Sequence, residues 1–316
     1  MKTLVYIETK DGKPVGASLE LLTPAMELGE AVAVLVGNDL DEAAALTAAC
    51  GAPVLVAAGD ACCPDAVVSI LEQVISQHKP ELVLFSSTQM GKDYAPRLAQ
   101  RLGGGCVTDA VEVAVTDGKV VFTRPAYGGT ILERLQLADG VTGFATVRSG
   151  SYSRPVVGDP ASVEQVSVSV PDEAIKARVM ETVKEIAEMV DLEGADVIVA
   201  GGRGMGSAEN FKLVEELAAL LGGVVGASRP AIEEGWVSRA HQIGQSGKIV
   251  TPKLYIACGI SGAMQHISGA MGSKYIVAIN KDENASIFSV ADVGIVGDVK
   301  DVLPAMIAEI RSRKEG

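Results

Sequence analysis

Along the chain, short runs of aliphatic and β-branched residues alternate with segments of helix length whose apolar positions recur every three or four residues. TLVYIET, AVAVLVG, PVLVAAG and ELVLFSST are such runs. Each is followed by one helical segment: a stretch up to Gly29, then DEAAALTAA, the stretch from about Asp65 to Gln77, and YAPRLAQRL. Strands separated by single helices require right-handed crossovers and a parallel sheet. After Gly103-Gly104-Gly105 the pattern changes. Residues 107–170 read as strand, turn and strand, with Asp117-Gly118 and Asp139-Gly140 each signalling a two-residue hairpin. An antiparallel segment appended to the first domain is expected there. Residues 171–190 carry an amphipathic stripe behind Pro171, which predicts a linking helix. A second series then runs ADVIVAGG, a helix over ENFKLVEELAALLGG, VVGAS, LYIACG, a helix from Ala263, YIVAIN, VGIVG and a terminal helix to Arg313. The expected fold class is α/β, with two Rossmann-like parallel-sheet domains over residues 1–184 and 185–316.

Composition narrows the function. Of 316 residues, 48% are hydrophobic and 4% aromatic, and 35 are glycine, which suits small aliphatic layers joined by tight turns. The formal charge of −13 is shared by both halves, −8 over residues 1–184 and −5 over 185–316. Neither half has the basic footprint of a nucleic-acid reader. MKTLVYIETK is broken by Glu8 and lacks the apolar stretch of a secretory signal. No apolar run approaches the ~18 residues of a membrane span. The five cysteines form no CxxC pair, and the three histidines lie far apart, so neither a zinc site nor a disulfide framework is expected. These features point to a cytoplasmic protein with inert thiols.

Ligands of open α/β sheets bind beyond the carboxyl ends of the strands. In the first series those loops hold Asp60, Ser86 and Ser87, which read as helix caps. The second series is richer. GGRGMGSAENF places Gly202, Gly204 and Gly206 between a strand and a helix, with Ser207 where a third fingerprint glycine would fall. It reads either as a phosphate loop, with Arg203 pairing a phosphate, or as a plain tight turn with a solvated arginine. VVGAS ends in Ser228-Arg229-Pro230, where a nicotinamide dinucleotide site would want an acidic residue. IGQSGK, within a long polar stretch before LYIACG, offers Gln245, Ser246 and the backbone of Gly244 to a heteroaromatic ring edge, or is simply a surface loop. LYIACGISGAMQH runs from a strand into a helix whose first turn holds Gln265 and His266. There His266 either holds negative charge on a ligand or is an internally satisfied residue.

GGRGMGSAENF, VGASRPAIEEGW, IGQSGKIVTPKLYIACGISGAMQH and IVAINKDENASIFSVADVGIVGD together closely resemble the FAD-binding domain of electron-transfer flavoprotein alpha subunits. The match is specific over about 200–300 and, for the rest of the chain, rests on length and domain order. The resemblance implies that the second domain carries FAD and swings, while the first packs on a smaller beta subunit carrying AMP or a second FAD. It implies that Arg203 and Ser228 serve the phosphates, that Arg229 lies against the isoalloxazine ring, and that Ser246 bonds flavin N5. Ile243, Gly244 and Gln245 would line the same edge. Ser261, Gly262, Ala263, Met264, Gln265 and His266 would wrap the pyrophosphate and ribityl chain, with His266 at the O2 edge. Asn280, Asp298 and Val299 would contact the adenosine half. Reduction puts negative charge on the N1–C2–O2 region of a flavin, and Arg229 and His266 would stabilise it and raise the first potential. No catalytic side chain is required.

The implied partners are a dehydrogenase of the acyl-CoA type, as in fatty acid β-oxidation, and an acceptor that is a quinone oxidoreductase, ferredoxin or flavodoxin. Many members that only carry electrons have threonine where Ser246 stands, and some electron-bifurcating, NADH-oxidising members have serine. The subgroup is therefore open. Two readings of other classes compete: an NADP-dependent oxidoreductase with Arg229 as a 2′-phosphate clamp, and a nucleotide-sensing scaffold whose task is heterodimerisation.

Overall fold

The computed structural model describes residues 1–177, 179–180 and 190–315. Contacts divide the chain into two compact units, Met1–Val183 and Lys184–Gly316.

In the first unit the strands are β1 (Lys2–Tyr6), a small hairpin of β2 (Thr9–Lys10) and β3 (Lys13–Pro14), β4 (Glu30–Val36), β5 (Val54–Ala57) and β6 (Leu82–Ser86). They alternate with helices α1 (Gly16–Glu20), α2 (Leu22–Leu28), α3 (Asp41–Ala48), α4 (Pro64–His78) and α5 (Gln89–Leu102). Then come β7 (Gly105–Ala110), β8 (Glu112–Thr116), β9 (Lys119–Ala126), β10 (Ile131–Gln136), β11 (Gly143–Val147) and β12 (Val163–Val166). Seven strands form one parallel sheet, ordered β12-β5-β4-β1-β6-β11-β7. Its central strands are apolar throughout because helices cover both faces: Val32, Val34, Leu84 and Phe85 are all buried. Two hydrophobic layers result, one on each side of the sheet. Helix α5 starts where Thr88 Oγ1 accepts the Gly91 amide at 3.0 Å and stops at Gly103, which is left-handed at φ 66°.

The antiparallel part is smaller than the sequence suggests. Within residues 105–166, β8, β9 and β10 pair antiparallel, whereas β7, β11 and β12 are parallel members of the main sheet. Asp117 and Gly118, at φ 52° and 75°, make the expected tight turn between β8 and β9. Asp139-Gly140 does not close a hairpin: β10 pairs with β9, and β11 inserts between β6 and β7. The helical stretch before Gly29 begins only at Gly16, because Asp11-Gly12 turns the preceding residues into the β2–β3 hairpin. Of the expected linking helix, residues 178 and 181–189 lie outside the described residues, and Asp172–Ala174 is a single 3-10 turn.

In the second unit, β13 (Val197–Gly201), α6 (Ala208–Leu221), β14 (Val224–Ala227), α7 (Arg229–Glu233), β15 (Leu254–Cys258), α8 (Met264–Ile267), β16 (Ile276–Asn280), β17 (Val293–Val296) and α9 (Val299–Glu315) follow in order. The sheet is parallel, ordered β14-β13-β15-β16-β17. Chain direction therefore switches between β13 and β15, the place where doubly wound sheets open a crevice. Ser207 Oγ accepts the Asn210 amide at 3.2 Å to start α6. Val199, Phe211, Ile256 and Leu303 pack one face of the sheet, and Ile198, Tyr255, Ala257 and Ile276 the other. Among the described residues no helix is long and apolar enough to cross a membrane. Of the five thiols, Cys50, Cys63 and Cys258 are buried, Cys106 is partly covered and Cys62 is exposed.

Candidate functional site

The loops beyond the carboxyl ends of β13, β14, β15 and β16 enclose a cleft of about 850 Å³. That is the size of a cofactor pocket, roughly 300–1,000 Å³.

The first wall is the loop after β13. Its glycines have a use other than approach to a phosphate. A Cβ on Gly204 would lie 2.6 Å from the Gly259 carbonyl oxygen, which instead accepts the Gly204 amide at 2.9 Å. The loops after β13 and β15 thus touch backbone to backbone, and side chains at 202 or 204 would part them. Arg203 is exposed on the cleft wall, and no carboxylate among the described residues pairs with it. Its charge is available to an anion.

The second wall is the start of α7 with the long loop beyond it. Ser228 is buried, while Arg229 is exposed and donates through Nε to Glu233 Oε1 at 2.7 Å. The long polar stretch is firmly tied. Ile243 N–H donates to the Ala227 carbonyl at 2.9 Å, and Gln245 N–H donates to the Gln265 carbonyl at 2.7 Å. Ser246 Oγ accepts from Gln242 Nε2 at 2.9 Å. With its oxygen so engaged, the hydroxyl proton of Ser246 is left to donate into the cleft.

The third wall follows β15. Helix α8 is only four residues long, shorter than the sequence suggests. Asn280 Nδ2 holds the loop before it by donating to the Ile260 carbonyl at 2.9 Å, and Ile287 N–H donates to the Ser261 carbonyl at 3.1 Å. Among the described residues, the amides of Ser261, Gly262 and Ala263 donate to no carbonyl. His266 is buried, and both of its ring nitrogens are engaged: Nδ1 lies 3.1 Å from the Ile243 carbonyl and Nε2 2.8 Å from Tyr255 Oη. Burial pushes its pKa down to about 4, opposed by the Ile243 carbonyl, so the imidazole is neutral at pH 7. Of the two sequence readings of His266, these bonds match the internally satisfied residue. His266 is nonetheless among the residues that line the cleft.

Of the residues singled out in the sequence, Arg203, Ser228, Arg229, Ile243, Gly244, Gln245, Ser246, Ser261, Ala263, Gln265, His266 and Asn280 line this one cleft. Gly262, Met264, Asp298 and Val299 do not. Gly262 is packed against the backbone of Ile287, and Met264 is exposed at the start of α8. Asp298 accepts the Lys300 amide at 3.0 Å to start α9, and Val299 is buried in the core. Glu233, Asp282 and Asn284 line the cleft without having been singled out. Glu233 was legible as the helical i+4 neighbour of Arg229. The other two lie in a chain of side-chain turns, Asp282 N–H to Asn280 Oδ1 and Asn284 N–H to Asp282 Oδ1, each 3.0 Å. Their signal is the N-x-D-x-N spacing after a strand.

The cleft suits a dinucleotide. Unaccepted amides and a solvent-facing arginine suit phosphates, and the Ile243–Ser246 edge offers one hydroxyl donor beside apolar surface.

Comparison with known proteins agrees with that chemistry. Residues 3–173 match the family model described as the electron transfer flavoprotein domain, and residues 191–271 match the electron transfer flavoprotein FAD-binding domain. The chain is 42% identical over 319 residues to the electron transfer flavoprotein subunit alpha of Bacillus subtilis, covering 98% of this chain and 97% of that one. It is 42% identical over 325 residues to the Mycobacterium leprae protein of the same name, covering 99% of each. With protein FixB of Clostridium saccharobutylicum it shares 40% over 318 residues, 97% of this chain and 95% of that one.

Proposed function

The chain belongs to the electron transfer flavoprotein alpha-subunit family, whose FAD-binding domain it contains, and on that premise we propose that it carries FAD in the cleft at the β13–β15 crevice and relays electrons as one half of a heterodimer. The carrying observation is that one cleft gathers residues from four strand-end loops, three of them within the matched FAD-binding domain. The bound flavin supplies the redox chemistry, taking up and releasing electrons at its ring.

The chain's own residues set how the flavin is held. Arg203 and the amides of Ser261 and Ala263 would take the phosphates, with the positive charge and free N–H groups that phosphate oxygens require. Arg229 would offer its guanidinium to charge growing on the ring, in competition with Glu233. Ser246, its oxygen occupied by Gln242, would donate its hydroxyl proton to a ring nitrogen. Asn280, Asp282 and Asn284 would receive the adenosine half.

The partners follow from the same reading. The first unit would pack on a beta subunit holding AMP or a second FAD. The donor would be a dehydrogenase of the acyl-CoA type in the cytoplasm, and the acceptor a quinone oxidoreductase, ferredoxin or flavodoxin. Nucleotide analysis of the denatured, co-purified heterodimer tests this. One FAD and one AMP per heterodimer is the expected result for a simple carrier. Two FAD would make it an electron-bifurcating, NADH-oxidising complex. Absence of FAD, even after reconstitution, would overturn the proposal.

A further inference from the structure

Beyond β12 the chain runs along α4. Val166, Val168 and Val170 are half-buried against the apolar layer that α4 helps to form, with Ser167 and Ser169 exposed between them. That alternation marks an extended segment with one inward face. It ends at Pro171. Asp172, Glu173, Lys176 and Ala177 are all exposed, so apolar burial alone gives this part of the segment little to hold it. The 3-10 turn Asp172–Ala174 nevertheless rests on α4.

Side chains of α4 and its approach supply what burial does not. Gln73 pairs with the backbone of Ser169: its Nε2 donates to the carbonyl at 2.8 Å, and the Ser169 amide donates to Oε1 at 3.3 Å. Nearer the start of the helix, Asp65 Oδ2 accepts the amides of Lys176 at 2.8 Å and Ala177 at 3.1 Å. Its Oδ1 accepts from Arg97 on α5, and Cys63 Sγ donates to the Ala177 carbonyl at 3.5 Å. The segment therefore runs opposite to α4, from Gln73 back to Asp65. An acidic residue in a first helical turn is ordinarily explained by the helix dipole, which an exposed side chain serves as well. Asp65 is buried, which costs free energy unless its oxygens are matched. The Arg97 guanidinium, and after it the Lys176 and Ala177 amides, hold its carboxyl below the usual carboxylate range against the opposing effect of burial.

We propose that α4 carries residues 169–177 as a strap and that Asp65 is its latch, a positioning residue that fixes Lys176 and Ala177 on the first unit. The chain leading to the second unit then starts from a fixed point at the head of α4. Unlatched, residues 172–177 would come free, up to about 20 Å of extended chain, while the valine portion stays docked. A carboxylate suits the task because both oxygens accept and neither donates, so it serves two amides and a guanidinium together. The nearly isosteric asparagine would turn an NH2 group toward one of those donors.

Hydrogen–deuterium exchange of the full-length chain, read by mass spectrometry, tests this. Asp65→Asn and Asp65→Ala should each speed exchange at Lys176 and Ala177 at least tenfold and leave peptides from β4 and β6 unchanged. Trypsin cutting after Lys176 should accelerate by a similar factor. Gln73→Ala should loosen Ser169 and keep Lys176 and Ala177 at wild-type protection. If the single variants at 65 do not fold, Asp65→Ala combined with Arg97→Met removes both charges and gives the same readout. Exchange at Lys176 and Ala177 within twofold of wild type in a folded variant at 65 overturns the proposal. So does a rise that spreads equally to β4 and β6, which would mean a loosened unit instead of a released strap. Release of Lys176 and Ala177 by Gln73→Ala as complete as by Asp65→Ala overturns it too.

Discussion

Arg229 and Glu233 show how little separates a cofactor ligand from an ordinary surface pair. They sit one helical turn apart on α7, both largely exposed and joined at 2.7 Å. In water such a pair contributes only a few tenths of a kcal/mol. Beside a ring that gains negative charge the same guanidinium has a second acceptor, and Glu233 becomes its competitor. Arg229→Ala should lower the first flavin potential by about 60 mV, the one-electron equivalent of a tenfold change, while FAD is retained. Glu233→Gln should move the potential the opposite way. Redox titration of both variants measures this, and an unchanged potential in Arg229→Ala would remove the residue from the flavin site.

At the scale of elements, the glycines divide by what surrounds them. Gly118 is left-handed at φ 75° in open space, so an added methyl meets only backbone strain. Gly204 has no such strain, yet its Cβ would collide with the backbone of the β15 loop. Gly118→Ala should cost about 1–2 kcal/mol of first-unit stability and leave flavin content intact. Gly204→Ala should cost about 1–3 kcal/mol through forced separation of the two loops and also lower FAD occupancy. Denaturant melts and flavin content distinguish the two.

The same contrast explains what the sequence made legible. Strands such as AVAVLVG could be read because burial on both faces demands an unbroken apolar run, a purely local signature. Asp117-Gly118 and Asp139-Gly140 carry the same local turn chemistry, yet only the first closes a hairpin. The partner of β11 is chosen by the distant β6 and β7. The Asp11-Gly12 turn was equally visible and was masked by the helical pattern after it. At the site, the strand-end rule locates the loops. It does not reveal that Tyr255 lies beneath His266, because that pairing depends on how β15 folds back to α8.

At the scale of the molecule, each unit has its own hydrophobic layers, and the cleft belongs wholly to the second. Added FAD should therefore stabilise the second unit alone, by about 2.7 kcal/mol at a hundred times its dissociation constant. Calorimetry should show one transition moving with FAD and the other fixed; two transitions moving equally would mean that the units unfold as one. Acid should single out the same unit. His266 is depressed to about 4 in the fold against 6.5 when unfolded, so between those values the unfolded chain binds the extra proton. Stability is full above about pH 6.5 and declines as pH falls toward 4, by about 3 kcal/mol over the interval.

The uneven exposure of the five cysteines gives the molecule a built-in handle. A bulky thiol reagent at limiting concentration meets Cys62 first, on the first unit, while its neighbour Cys63 is shielded by the fold. A dye attached there, chosen to absorb where a flavin emits, forms a donor–acceptor pair with the fluorescent cofactor of the second unit. Energy transfer between them would then report the distance from Cys62 to the cofactor, with every native side chain except one left unaltered.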